Sequence, residues 1–525
     1  MKITLSLLLL TALSNVCISQ TAIPDSNFEQ ALINLGYDSG TPDGSVPTSN
    51  INTITSLNVS NSQISSLTGI QDFTALTSLE CNNNQLTNLD ITQITALTYL
   101  RCSDNQLTSL DVTQNTALTD LRCFSNLLTS LNVTQNTALT SLGCFDNQLT
   151  SLDVSQNTAL TYLGCSTNQL TLLDVSQNTA LISFDCFTNQ LTSLDVTQNT
   201  ALTYLGCSAN QLTNLNVTQN IALTSLGLRY NQLTLLDVSQ NTALTYLGCV
   251  GNQLTSLDVT QNTALTELRC AQNPLTSINV TQNTALTSLA CYQNQLTNLD
   301  ISQNTALTSL ECSINQLDSL DVSQHTALTY LECNNNQLDS LDVTQNTALT
   351  HIMCHYNQLT SLNLTLNNAL TYLECGNNLL ACLNIRNNNN SNFTNFSALN
   401  NPNLSCMEVD DVTWSTTNWI SDVDAGVSFS TNCGPCTVGL NDLEQNFSNL
   451  NFYPNPTTGN ISIDLGEIRN KLKVTLTNNL GQVILTEYFE STAFININID
   501  ATSGIYFLQI EAANGNFITR KIIKE

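Results

Sequence analysis

Basic residues are scarce in this sequence of 525 residues, which holds 12 Lys and Arg against 40 Asp and Glu, for a formal net charge of −28. Nucleic acids and anionic lipids would repel such a chain, so we exclude both as partners. Only three histidines occur, and no serine-nucleophile motif, phosphate-binding loop or paired-carboxylate motif stands outside the repeated positions. We therefore expect a protein that is not an enzyme and that uses no cofactor or metal.

Long apolar runs are missing after the first 20 residues, and a membrane helix needs about 18. We therefore expect no membrane span in the mature chain. The start, MKITLSLLLLTALSNVCISQ, combines Lys2, an apolar run and small polar residues. This is typical of a secretory signal peptide, which we assign to residues 1–19. A lipoprotein signal around Cys17 is disfavoured, because Val16 is bulky where the peptidase needs a small residue.

Helical periodicity is absent between residues 76 and 385, where the sequence instead repeats every 21 residues. Each unit reads L-x-x-L-x-C-x-x-N-x-L-x-x-L-x-V-x-x-N-x-A and divides into halves of ten and eleven residues. Apolar pairs such as Leu163 and Cys165 are typical of a short strand with one buried face. The pattern predicts a solenoid of about 15 coils, built from short extended segments and tight turns with little helix.

This pattern resembles the leucine-rich repeats, whose signature is L-x-x-L-x-L-x-x-N-x-L, and it is most similar to the bacterial subclass with nested ten- and eleven-residue halves. The resemblance implies short parallel strands. Cysteine replaces the third leucine of the signature, and Val or Ile recurs in the second half.

Two columns of asparagine run through the repeats, one from Asn84 to Asn378 and one from Asn115 to Asn367, the second interrupted by His325. An amide side chain both donates and accepts, so one Asn per coil can satisfy backbone groups at each inward turn. A column of cysteines, Cys81 to Cys375, holds a leucine at Leu228. We expect free, buried thiols there, because a slot that accepts leucine needs a small hydrophobe. Disulfides between coils or a redox role are the disfavoured alternatives.

The segments beside the repeats are expected to cap them. Residues 20–75 place Phe28, Leu32 and Leu35 on a possible helical face. Residues 386–436 leave the period, and an oxidising compartment favours a disulfide between Cys406 and Cys433 there. The sequence Cys433-Gly-Pro-Cys436 spells a redox tetrapeptide, but a polar linker at 437–449 follows it where such a motif needs a helix. Pairing of Cys382 and Cys436 stays open.

Residues 450–525 alternate apolar and polar residues between turns, which predicts a small all-β sandwich. The segment resembles the C-terminal sorting domain of the type IX secretion system of Bacteroidetes, through FYPNPTTGNISI, NLGQVIL, SGIYFLQIE and RKIIKE. The resemblance implies export by the type IX machinery, removal of this domain, and a mature protein that is secreted or attached to the cell surface. The residues on the signature positions are Pro454, Asn455, Pro456, Gly459, Gly504 and Tyr506.

Variation between coils is concentrated beside the inward Leu and Cys of the first half-unit, where side chains point outward. We expect this strand face to bind a protein or glycan ligand. A passive spacer or adhesive matrix component is the alternative. The first candidate patch comprises Arg101, Asp120, Arg122, Phe124, Phe145 and Asp146. The second, acidic patch comprises Glu311, Glu332, His351, His355, Tyr356 and Glu374.

Aspartate recurs in most second half-units, and we expect a solvated turn position there. A calcium column is disfavoured because asparagine interrupts it and no second acidic position converges on it. The column consists of Asp90, Asp111, Asp153, Asp174, Asp195, Asp237, Asp258, Asp300, Asp321 and Asp342, with Asn at 132, 216, 279 and 363.

Overall fold

The computed structural model describes residues 19–434, 450–478, 482–511 and 517–525. The chain divides into two compact units between Asn336 and Gln337. All but the last residue of the expected signal peptide lies outside the described residues. The expected linker at 437–449 and Cys436 also lie outside them.

The first unit begins with a small cap. Strands Gln20–Ala22 and Ser45–Pro47 pair antiparallel, and the helices are Ser26–Asn34, Thr48–Ile51 and the 3-10 turn Ile70–Asp72. Asp25 caps the first helix, since its Oδ1 accepts from the N–H groups of Asn27 and Phe28.

The expected apolar face of that first helix is only partly present. Phe28 and Leu32 are fully buried. Leu35, however, is 44% exposed, so its placement on the buried face was wrong. The helix ends at Asn34 and Leu35 is its C-cap, so the helical periodicity no longer directs its side chain inward.

The repeats of the first unit each contribute one three-residue strand to a parallel sheet. Successive strands pair in a register of 21 residues after the first step, as in Leu142 with Leu163 and Leu163 with Phe184. The central residue of each strand is buried, so the solenoid predicted from the period is confirmed. The strands are Ser56–Asn58, Ser78–Glu80, Tyr99–Arg101, Asp120–Arg122, Ser141–Gly143, Tyr162–Gly164, Ser183–Asp185, Tyr204–Gly206, Ser225–Gly227, Tyr246–Gly248, Glu267–Arg269, Ser288–Ala290, Ser309–Glu311 and Tyr330–Glu332.

The two asparagine columns bond adjacent coils in different ways. In the first column, Asn189 Nδ2 donates to the carbonyls of Cys165 and Cys186, both at 3.1 Å, and its Oδ1 accepts from Leu170 N at 3.0 Å. In the second column, Asn199 Nδ2 donates to Val175 O at 2.9 Å and to Asn178 O at 2.8 Å.

The side-chain oxygens of the second asparagine column are not needed to bond one coil to the next. Asn199 Oδ1, like its column mates, has no hydrogen-bond partner among the described residues. This explains how His325 fits the column: its Nε2 lies 3.1 Å from Ile301 O, the position that the amide donor fills elsewhere. The slot requires a donor, which an imidazole supplies.

The cysteines line the interior of the coils. Cys81 to Cys375 are free and buried, and Leu228 is buried in the same column. Burial raises the pKa of the Cys81 and Cys123 thiols to about 12, which keeps them protonated and unreactive.

The aspartates of the second half-unit are hydrogen-bonded turn residues. Asp195 Oδ1 accepts from Thr197 N at 2.9 Å and from Thr197 Oγ1 at 2.7 Å. Asn216 makes the same pair of bonds with Thr218, so the turn needs an oxygen acceptor and no charge. Within the described ranges, no group of three or more His, Cys, Asp or Glu is arranged to hold a metal ion.

The second unit continues the repeats and adds a second sheet. Strands His351–Met353, Tyr372–Glu374 and Asn395–Ser397 form one parallel sheet. The other parallel sheet has strands Ser361–Asn363, Cys382–Asn384, Cys406–Glu408 and Ser428–Ser430. A 3-10 turn, Asn390–Asn392, and a helix, Val412–Asn418, complete this region.

The end of the repeats is covered by aromatic side chains. Trp419 stacks on Phe396 with ring centroids 4.4 Å apart and meets Trp414 edge-on at 5.1 Å. A disulfide joins Cys406 and Cys433, whose Cα atoms are 5.8 Å apart. Cys382 is also disulfide-bonded.

The C-terminal domain is an antiparallel β half-barrel, and the expected all-β fold is confirmed. Its buried core includes Ile463, Val474, Ile497 and Leu508. The strands are Asn451–Tyr453, Asn460–Asn478, Val483–Asn498, Gly504–Glu511 and Phe517–Lys524.

Candidate binding face

The outward side chains of the first-unit strands form one continuous face, which we call the strand face. On each strand the central residue is buried. The residues beside it are at least partly accessible where their side chain is larger than that of alanine, as Tyr99 and Arg101 are on either side of Leu100. The small residues Gly143, Gly164, Gly206, Gly248 and Ala290 are covered. Parallel pairing at a register of 21 then aligns equivalent positions side by side, such as Arg101 with Arg122. Chemistry on this face is therefore set by which residue each coil carries at these positions.

Arg122 is held by an acidic and an aromatic neighbour. Its Nε and Nη2 donate to the two oxygens of Asp120 at 3.0 and 2.9 Å, and its Cζ lies 5.7 Å from the centroid of the Tyr99 ring. Donation of these hydrogen bonds to Asp120 raises the pKa of the guanidinium. This pairing fixes the guanidinium in one orientation on the face.

An aromatic stack lies beside it. Phe124 and Phe145, from neighbouring coils, are stacked with centroids 4.2 Å apart, and Arg101 Cζ lies 6.0 Å from the Phe124 centroid. Five of the six residues of the first candidate patch are thus joined through Arg122–Asp120 and Arg101–Phe124–Phe145. Asp146 lies in the following turn, at φ 54°, where its Oδ2 accepts from Ser125 Oγ at 2.9 Å.

A cavity of 310 Å³ opens on this patch. It is lined by Arg122, Phe124 and Phe145 together with Ser141, Gly143 and Tyr162. The candidate patch predicted from the sequence did not include Ser141, Gly143 or Tyr162. The available signal was the change from arginine at 101 and 122 to glycine at 143: without a side chain there, the two phenylalanine rings border an open space.

The second candidate patch is divided between the two units. In the first unit, burial and then the charge of Glu332 raise the pKa of Glu311. Glu332 is itself held by two hydroxyls, since Ser313 Oγ donates to Oε1 at 2.7 Å and Tyr330 OH to Oε2 at 3.2 Å. These two glutamates therefore present an acidic area.

In the second unit, the histidines contact aromatic rings and Glu374. His351 stacks on Tyr372 with centroids 5.3 Å apart, and His355 meets Tyr356 edge-on at 5.6 Å. His355 Nδ1 lies 3.2 Å from Glu374 Oε2. Tyr356, at φ 54° and 54% exposed, is in a turn.

The signature residues of the C-terminal domain tie its first turn to its last strand. Asn455 Nδ2 donates to Lys521 O and its Oδ1 accepts from Ile523 N, both at 2.8 Å. Gly459, at φ 142°, adopts a backbone conformation that favours glycine. Tyr506 is buried and donates to Thr502 O at 2.6 Å, next to Gly504. Pro454 and Pro456 flank Asn455 and are exposed.

Comparison with known proteins supports the assignments of the repeats and of the C-terminal domain. Residues 451–525 match the family model of the secretion system C-terminal sorting domain. The structure of the functional domain of InlJ from Listeria monocytogenes, described as including a cysteine ladder, is 30% identical, with 97% of this chain and 99% of that chain covered at a TM-score of 0.65. The chain is a leucine-rich repeat protein.

Two further structures share the solenoid. A leucine-rich repeat protein from Leptospira interrogans is 27% identical at a TM-score of 0.57, covering 63% of this chain and 92% of that chain. The internalin inlF from Listeria monocytogenes is 26% identical at a TM-score of 0.54, covering 61% and 97%. The comparison with curated proteins finds no match.

The sorting domain indicates where this leucine-rich repeat protein acts. It is a type IX secretion sorting domain, so the protein is exported to the cell surface or secreted. In the described ranges, none of the helices has the length and apolar character that crossing a bilayer requires.

Proposed function

We propose that this leucine-rich repeat protein is a surface or secreted binding protein that captures a macromolecular ligand through the strand face. The cavity lined by Arg122, Phe124 and Phe145 carries the proposal. It offers apolar ring surface next to an oriented guanidinium, and aromatic residues and arginine dominate the binding energy of protein interfaces. A cavity of 310 Å³ has room for one large side chain or one sugar ring.

The surroundings of the cavity support a role in binding. The side chains of Arg122 and Phe124 take no part in the repeated contacts that join the coils, because these are made by backbone groups, asparagine side chains and buried apolar residues. Asp120 and Tyr99 hold the Arg122 side chain, and Phe145 stacks on Phe124. This restraint reduces the entropy lost when a ligand binds.

The test is a screen of the purified protein on protein and glycan arrays, followed by affinity measurements on each ligand found. Changing Phe124 and Phe145 together to Ala should weaken binding at least tenfold while the circular dichroism spectrum stays the same. The matched control changes Phe187 and Tyr230, two exposed aromatics of the repeats outside the cavity, to Ala.

Equal affinities for the two double variants would contradict the proposal. A protein that binds nothing on either array, but whose display is impaired by removal of two coils, would indicate the spacer role instead.

A further inference from the structure

A second recess on the strand face is centred on Asp185. Its strand lies between Tyr162–Gly164 and Tyr204–Gly206, and Asp185 pairs with Gly164 on one side and with Gly206 on the other. The carboxylate therefore has no side chain from the equivalent position of either neighbouring coil. It lies in a trough whose floor on both sides is glycine backbone.

Two tyrosines form the walls of this trough. A Cβ atom on Gly206 would be 2.6 Å from Asp185 Oδ1 and 2.8 Å from the hydroxyl of Tyr204, so carboxylate and phenol meet above that glycine. The Tyr162 hydroxyl lies over Gly164 in the same way. Burial and then the charge of Asp185 raise the pKa of both phenols, that of Tyr204 to about 12. Asp185 is thus flanked by a tyrosine on each side.

The polar groups in the trough are incompletely paired within the chain. Asp185 Oδ1 is buried and has no hydrogen-bond partner among the described residues, and the same holds for the hydroxyl of Ser166, which is 2% exposed. None of the salt bridges found in the described ranges includes Asp185. Burial raises the pKa of Asp185, and the nearby Ser166 hydroxyl, Phe187 N–H and Tyr204 hydroxyl lower it in part. These groups lie close to the carboxylate, but Oδ1 accepts no hydrogen bond of ordinary geometry from the described residues.

We propose that Asp185, Tyr162 and Tyr204 form a subsite for a lysine or arginine side chain of a protein partner. The inference rests on the proposed function, since it assigns part of the ligand that the strand face binds. A cation would pair with the Asp185 carboxylate and contact the two tyrosine rings, the combination that recognises ammonium and guanidinium groups.

Charge favours this occupant over an acidic or neutral one. The chain carries a formal net charge of −28, which attracts basic partners and accelerates their association. A recessed carboxylate without a cation is costly in the free protein. Asp185 is therefore expected to lower the stability of the free protein at neutral pH. This is the effect expected of a residue that serves binding, whereas a residue that serves the fold would raise the stability. The thermal unfolding temperature of the Asp185→Asn variant should equal or exceed that of the wild type.

The subsite can be tested by NMR on the full chain labelled with ¹³C-tyrosine. Tyr162→Phe and Tyr204→Phe variants assign the two ring signals. The probes are the capped tripeptides Ac-Gly-Arg-Gly-NH₂ and Ac-Gly-Lys-Gly-NH₂, with Ac-Gly-Gln-Gly-NH₂ and methyl β-glucoside as neutral probes. The basic peptides should shift both tyrosine signals, and the neutral probes should not. Asp185→Asn should weaken the response at least tenfold.

Asp195→Asn is the matched control, because it removes the same charge at a turn where asparagine occurs naturally in other coils. Tyrosine signals that do not move with either basic peptide, or that move equally in Asp185→Asn, would overturn the subsite. An equal shift with methyl β-glucoside would overturn it in favour of a sugar. Array binding that depends on Phe124 and Phe145 but not on Asp185 would leave the proposed function intact without this subsite.

Discussion

Phe124 and Phe145 lie on adjacent coils with their ring planes only 9° from parallel. Stacking of this kind contributes about 0.5–1.5 kcal/mol beyond the area buried. We expect a coupling energy at the low end of that range in a double-mutant cycle of Phe124→Leu and Phe145→Leu, because both rings are partly exposed. Urea unfolding of the four proteins measures it. Strictly additive effects would show that the stack does not stabilise the coils and serves only the cavity.

The second asparagine column should be more sensitive to substitution than the surface beside it. Asn199→Ala removes two buried hydrogen bonds, to Val175 O and Asn178 O. Each carbonyl keeps one other hydrogen bond, Val175 O from Asn178 N and Asn178 O from Leu181 N. We therefore expect the free energy of unfolding to fall by about 1–3 kcal/mol. The exposed neighbour Gln198 provides the control as Gln198→Ala, with an expected change within about 0.5 kcal/mol. If urea unfolding showed similar losses of unfolding free energy for both variants, the hydrogen bonds of Asn199 would contribute no more to stability than an exposed side chain does.

One turn of the solenoid carries avoidable backbone strain. Ile314 has φ 53°, whereas the same position holds asparagine at 83, 335 and 377. A β-branched residue is disfavoured in the left-handed region, and asparagine tolerates it. We expect Ile314→Asn to stabilise the protein by about 1 kcal/mol. Ile182→Asn, which replaces an isoleucine of similar exposure outside that region, should not. Differential scanning calorimetry of both variants tests the difference.

The thiols of the cysteine column should be unreactive in the folded protein. Burial raises the pKa of Cys270 and Cys375 to about 12, and the thiolate is the reactive form. At pH 8, a maleimide should therefore label these thiols only as the protein unfolds in denaturant. Rapid labelling of the native protein, measured by mass spectrometry, would mean that the coils open locally.

Acid should destabilise the solenoid through its turn aspartates. Hydrogen bonds from Thr197, first from the hydroxyl and then from the N–H, lower the pKa of Asp195. The folded pKa is below the unfolded value, so this stabilisation is present at neutral pH and is lost as the pH falls through the folded pKa. The other aspartates of this kind are Asp90, Asp111, Asp153, Asp174, Asp237, Asp258, Asp300 and Asp321.

The unfolding temperature should therefore decline below about pH 4. A variant with several of these residues changed to Asn, which keeps the acceptor, should decline less steeply. Asp185 and Glu311 act in the opposite sense, because burial raises their pKa values and protonation relieves their cost. Thermal scans from pH 6 to pH 3 measure how the unfolding temperature depends on pH. Identical profiles for wild type and variant would show that the turn aspartates do not cause the decline in acid.

The interior of the solenoid was predictable because the 21-residue period places one side chain in one slot at every coil. Leu163, Cys165 and both asparagine columns occupy the buried positions that the period predicts. The cap was less predictable: Leu35 continues the helical pattern in sequence, but the helix ends one residue earlier. A termination point depends on local hydrogen bonds that apolar spacing does not report.

The binding face was only partly predictable. Side chains with distinctive chemistry, such as Arg122 and Phe124, indicated one part of it. The recess around Asp185 was not predicted, because the prediction relied on side chains with distinctive chemistry and glycine has none. The sequence Tyr-Leu-Gly nevertheless recurs at 162–164, 204–206 and 246–248. The 21-residue period already aligns Gly164, Asp185 and Gly206, and the pairing of coils shows that these two glycines border one carboxylate.

Inside the first sheet, a strand pairs with the strand of the coil before it and with that of the coil after it, as Tyr204–Gly206 does. A duplication or deletion of one repeat's coding sequence would consequently leave every remaining junction intact. Recombination between near-identical repeats can thus lengthen, shorten or shuffle the array while preserving its interior, and natural selection would act mainly on which exposed residues become neighbours.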